Sequence, residues 1–180
     1  DIFIQQGGTL TIAGSSTLGS GTVKGGAAGG SDSVGGQGYG DGLFLQGNQT
    51  VSFAPAAGDT LTISGAVADM TGSHDASGQT GAGALAMTGL GTLKLAASNS
   101  FVGGVTISSG TLELAAGGAG GSGAITFGAT ATLVIDGAAT PGAGQTFANT
   151  LKSFGDGDAL DLSGLTYRGD ARATLSGGVL

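Results

Sequence analysis

The chain has no cysteine and no tryptophan, two prolines, one histidine and five basic residues in 180 positions. Without cysteine there is neither a disulfide framework nor a thiolate metal site, so packing and backbone hydrogen bonds alone must supply stability, even outside the cell. The basic residues Lys24, Lys94, Lys152, Arg168 and Arg172 are scattered among 12 acidic ones, for a net charge of -7 and a pI near 4.1. Such a surface repels phosphate, which argues against nucleic acid and anionic membranes as partners. No apolar run approaches the ~20 residues that span a bilayer, so direct membrane insertion of this segment is not expected. The chain opens Asp1-Ile2-Phe3-Ile4 without a basic start or a cleavage-site pattern and stops after a strand-like ATLSG. It therefore reads as one segment, 1–180, taken from a longer protein.

Aromatic residues make up 5 % and charged residues 9 % of the chain, whereas glycine occurs 41 times. Glycine at that level suggests collagen or disorder, but there is no Gly-X-Y period, and 39 % hydrophobic residues are enough to fold. The apolar residues recur in one pattern: TLTI at 9–12 and 60–63, TLKL at 92–95, TLEL at 111–114, TLVI at 132–135 and ALDL at 159–162. Two apolar side chains flanking a polar one make a short strand with one buried face. A strand that short is not stable alone, so copies must stack, as in a solenoid.

Residues 84–137 carry the pattern most regularly, as ALAM with TLKL, VTI with TLEL and AITF with TLVI. The inward set is then Leu85, Met87, Leu93, Leu95, Val105, Ile107, Leu112, Leu114, Ile125, Phe127, Leu133 and Ile135. Spacings of 19 to 21 positions between equivalent residues predict coils of about 20 residues with two or three strands each, a parallel β-helix. A meander of hairpins is the competing arrangement, though many connections are longer than a tight turn. Residues 24–42 and 66–83 break the rhythm and read as loops inserted into coils. Between them Leu43, Leu45, Val51, Phe53, Leu61 and Ile63 point inward. QTFANTLKSF at 145–154 fits a strand or, through Phe147, Leu151 and Phe154, a helical turn, with the spacing favouring the helix. DALDLSGL and ARATLSG return to strand.

The passage GLGTLKLAASNSFVGGVTISSGTLEL at 89–114 resembles the passenger-associated repeat of autotransporters and related secreted proteins of Gram-negative bacteria: a Gly-x-Gly-Thr-Leu strand, an Asn-containing turn with an aromatic, a Gly-Gly pair and a second Thr-Leu strand. Residues 41–73 and 147–165 are similar to segments that accompany that repeat. The resemblance implies an all-β fold, a right-handed parallel β-helix, export beyond the inner membrane, and a place in the secreted or cell-surface fraction. It implies no particular activity, since such stalks carry adhesins and enzymes alike.

Candidate sites are sparse. His74, the only histidine, stands beside Asp75 and five residues after Asp69 in a Ser/Gly loop, but nothing like Gly-x-Ser-x-Gly accompanies it. Gly36, Gly38 and Gly40 imitate a nucleotide loop without the flanking strand and helix that a phosphate cradle needs. Asp156, Asp158 and Asp161 form an acidic cluster whose oxygens suit calcium, although the full calcium-roll repeat is missing; no other cofactor is expected. Glu113 and Asp136 fall on neighbouring coils, with no arginine among the regular strands to complete a polysaccharide-cleaving site. The expectation is a non-enzymatic structural or adhesive stalk. Its loops, with Tyr39, Asp41, His74 and Asp75, would meet a host-cell or matrix surface, a glycan or another copy. The alternatives are a carbohydrate-binding or carbohydrate-processing β-helix, and an ice- or surface-binding solenoid presenting Thr60, Thr62, Thr92, Thr111 and Thr132.

Overall fold

The computed structural model describes residues 1–73, 80–142 and 144–165, and within them the chain is all β. Strands β1 (Ile2–Ile4), β2 (Thr11–Ala13) and β3 (Ser16–Leu18) form a first coil. They are followed by β4 (Leu43–Leu45), β5 (Gln49–Ala54) and β6 (Thr60–Ile63), and then by β7 (Val67–Asp69), β8 (Gly83–Met87) and β9 (Thr92–Leu95). Three two-strand coils come next: β10 (Val105–Ile107) with β11 (Gly110–Leu114), β12 (Ile125–Phe127) with β13 (Ala131–Ile135), and β14 (Leu151–Lys152) with β15 (Ala159–Asp161). Every pairing is parallel. One sheet runs β2-β5-β8-β10-β12-β14, a second β3-β6-β9-β11-β13-β15, and a third β1-β4-β7. This is a parallel β-helix, and hairpins are excluded because consecutive strands lie in different sheets.

Register follows the Thr-Leu pattern. Leu61, Leu93, Leu112, Leu133 and Leu160 align as one ladder across five coils. Successive rungs sit at the strand spacing of ~4.8 Å. All 12 inward residues expected between 85 and 135 are buried, as are Leu43, Leu45, Val51, Phe53, Leu61 and Ile63. Full burial of one such side chain is worth about 1.5–3 kcal/mol, and in a core one or two residues wide each rung touches the next.

The coil length of about 20 holds only from β8 to β13: Leu93 to Leu112 is 19 positions and Leu112 to Leu133 is 21, whereas Leu133 to Leu160 is 27. Earlier, Ile2 pairs with Leu43, 41 positions on, and Leu61 pairs with Leu93, 32 positions on. The extra residues leave at the corners. Residues 24–42 contain no strand, as expected of a loop. The expected loop at 66–83 is corrected, because its first residues are the buried strand β7 and its last belongs to β8. The stretch reads as a loop from its many glycines and serines and its few apolar residues at strand spacing, yet Val67, Ala68 and Asp69 are all buried.

The helical reading of 145–154 is also corrected. Leu151 pairs with Ile125 in β14, and the buried Asn149 amide donates to the carbonyls of Gly120, Gly121 and Gly123 at 2.7–3.2 Å. Bonds to the preceding coil outweigh the local helical spacing. The strand expected in ARATLSG lies outside the described residues.

After β7 the third side has no strand among the described residues. Phe101, fully buried, fills that side of the core, and the backbone continues the ladder from Ser100 N to Val67 O at 2.9 Å and from Ser122 N to Phe101 O at 3.1 Å. The Gly-Gly pair that follows is sterically required. A Cβ on Gly103 would lie 2.4 Å from the Gly83 carbonyl oxygen, and one on Gly104, at φ +83°, would lie 2.3 Å from that of Ala124.

Candidate functional site

Polar side chains at the corners are mostly spent on holding coils together. Asp69 is fully buried, and its carboxylate accepts backbone N–H bonds from Gly72 at 2.6 Å, Gly83 at 2.8 Å and Val102 at 2.7 Å. Three donors on one carboxylate satisfy a charge that burial would otherwise make costly. Asp69 is thus a structural clamp, and no free carboxylate for a catalytic histidine. Asn99 does a related job, accepting from Val67 N at 2.7 Å and donating to Ala119 O at 2.6 Å.

The acidic cluster is placed likewise. Asp158 accepts from Ala131 N and Gly155 N, both at 2.9 Å, and closes the turn before β15. Asp156 is exposed on that turn and Asp161 on β15. Among the described residues no group of three or more His, Cys, Asp or Glu is placed to hold a metal ion, so these aspartates do not converge as a ligand set. His74 and Asp75 lie outside the described residues. Gly36, Gly38 and Gly40 belong to the strandless excursion, with no helix after them.

On the outer face of the second sheet, Lys94 bonds Glu113 on the next coil, and its Nζ lies 3.6 Å from Asp136 Oδ2 on the coil after that. Sequence reasoning paired Glu113 with Asp136 and missed Lys94, which only the register brings between them. The hydrogen bond to Glu113 and the charge of both carboxylates raise the Lys94 pKa above its ordinary value. The two carboxylates face Lys94 as ion-pair partners. The group is an electrostatic ladder across three coils.

The corner beneath the 24–42 excursion is different. The excursion is closed at its base by Gly21 N donating to Asp41 O at 2.6 Å and tied higher up by Gly36 N to Gly26 O at 2.8 Å. Between it and the coil corners opens a cleft of about 450 Å³, lined by Thr22, Tyr39, Asp41, Ser98, Asn99 and Ser100 over a floor that includes Ala68. Asp41 Oδ1 accepts from Ala66 N at 2.5 Å, which fixes the side chain at the wall. Tyr39 is 37 % exposed at the rim. Two residues singled out from the sequence, Tyr39 and Asp41, therefore meet in one cavity, joined by Ser98 and Ser100 from a coil more than fifty positions on. No sequence signal marked those serines.

Beside the cleft, Phe3 and Phe44 occupy the outward column of the third sheet, in register with Ala68. Their rings stack with centroids 5.8 Å apart and planes within 3°, and Phe3 is 62 % exposed.

Stacked parallel coils with corner excursions define the class: a β-helical solenoid. Residues 85–114 match the family model of the passenger-associated-transport-repeat, the autotransporter passenger repeat that the sequence resembles. The matched stretch spans the last three residues of β8, then β9, Asn99, Phe101, Gly103-Gly104, β10 and β11, so it covers strands of two successive coils. Neither curated proteins nor solved structures give a match to the chain.

Proposed function

We propose that the chain is a non-enzymatic stalk segment of a passenger secreted or displayed at the surface of a Gram-negative bacterium, whose corner excursions meet a host-cell or matrix surface. The observation that carries this reading is that two sheets keep their register through six coils while residues 24–42 project from one corner with a cleft beneath them. A solenoid tolerates such an insertion because it disturbs only its own turn, and recognition is commonly placed on such loops. The repeat at 85–114 supports export. The tethered aspartates and the ion-paired Lys94 support the absence of acid–base chemistry.

The test is excision of residues 24–39, which spares Gly21 and Asp41 at the base. Parallel-sheet circular dichroism should persist while adhesion to host-cell or matrix surfaces falls at least tenfold. Unchanged adhesion, or polysaccharide cleavage by the intact chain, overturns the proposal.

A further inference from the structure

Resting on the stalk reading, we infer that the cleft under the 24–42 excursion takes a neutral oligosaccharide. A volume of about 450 Å³ is within the range of small-ligand pockets, about 300–1,000 Å³. A sugar presents two kinds of surface, weakly positive C–H faces and hydroxyl edges. The C–H faces suit the negative face of an aromatic ring, and here Tyr39 stands at the rim with the stacked Phe44 and Phe3 on the adjoining outward column. The hydroxyl edges need acceptors and donors, supplied by the carboxylate of Asp41 and the hydroxyls of Thr22, Ser98 and Ser100.

Charge narrows the class. Among the described residues Asp41 is the only charged one lining the cleft, with no lysine or arginine there, and the chain carries a net charge of -7. Sulfated, phosphorylated or sialylated glycans would be repelled. A basic peptide would find one carboxylate, with one of its oxygens already bonded to Ala66 N. A neutral ligand with an apolar face uses all the groups present.

The experiment is saturation-transfer NMR and titration of the intact chain with neutral gluco-, galacto- and N-acetylhexosamine oligosaccharides, their sulfated or sialylated counterparts, and an oligolysine peptide. At least one neutral oligosaccharide should bind, with little salt dependence, and the anionic forms at least tenfold more weakly. Tyr39→Ala and Asp41→Asn should each weaken binding at least tenfold. Asp41→Asn keeps an oxygen for Ala66 N, so circular dichroism should be unchanged. Absence of neutral-sugar binding, binding indifferent to both substitutions, or salt-sensitive preference for oligolysine overturns the inference. Loss of adhesion on excising 24–39 without any sugar binding would sink this inference alone. Sugar binding with adhesion indifferent to the excision would sink the stalk-adhesion reading alone.

Discussion

Coils from Gly83 to Ile135 repeat every 19 to 21 positions, whereas coils before Gly83 are separated by 24 to 45, yet both build the same two sheets in the same register. The difference shows what the stack requires. Strands must return to register, and the path between them is free wherever a corner can close its hydrogen bonds. In the regular half the corners are closed by Phe101, the Gly-Gly pair and Asn99; in the interrupted half they are closed by Gly21 on Asp41 and by Asp41 on Ala66. The seam between the halves is Asp69, which binds its own excursion at Gly72, the incoming β8 at Gly83 and the next coil at Val102. The cleft forms where the two halves meet, with Tyr39 and Asp41 from the interrupted half and Ser98 and Ser100 from the regular one.

The largest effect should come from the centre of the regular half. Leu112→Asp puts an unpaired charge on a fully buried rung between Leu93 and Leu133 and should cost more than about 4 kcal/mol, unfolding β9 to β13. Thermal melting followed by circular dichroism reads this. Next comes the seam: Asp69→Ala leaves three backbone N–H groups without their acceptor and should cost about 3–5 kcal/mol, with Asp69→Asn intermediate because it keeps one acceptor oxygen. Hydrogen exchange after Asp69→Ala should rise first at Gly72, Gly83 and Val102. If it rises instead uniformly along the chain, the seam has no special place.

The smallest effect belongs to the outer face. Glu113→Ala should cost less than about 1 kcal/mol, since the pair is partly exposed and Lys94 keeps Asp136 nearby. Because the Lys94 pKa is raised on folding, its contribution is present below the ordinary lysine pKa and is lost as pH rises through the folded value. On the alkaline side, the wild-type and Glu113→Ala melting curves should therefore converge in strongly basic solution. A difference that instead disappears on mild acidification past neutrality would assign the effect to another group.

The regular half was legible because period-two alternation and a glycine-punctuated repeat of about 20 residues act together, and all twelve inward residues from Leu85 to Ile135 are buried. What escaped were places where a tertiary bond reverses a local rule. Asp69 is buried because the N–H groups of Gly83 and Val102, 14 and 33 positions on, meet it together with that of nearby Gly72, and 145–154 is not helical because Asn149 and Leu151 bond the preceding coil. Of the cleft, Tyr39 and Asp41 could be read from the sequence as loop residues with recognition chemistry. Ser98 and Ser100 could not, since their approach depends on how many residues the earlier coil inserts.

Parallel stacking in this register can be tested in a chain that has no cysteine of its own. Thr111 and Thr132 are register partners on adjacent coils, so their Cα atoms lie at the strand spacing of ~4.8 Å, within the range a disulfide spans. Oxidation of the Thr111→Cys/Thr132→Cys variant should give a rapid intramolecular cross-link and a higher melting temperature. Thr111→Cys/Val134→Cys, two residues out of register, should remain reduced. Cross-linking of the second pair in preference to the first, or of neither, would contradict the stacked β-helix on which the proposed stalk and the cleft depend.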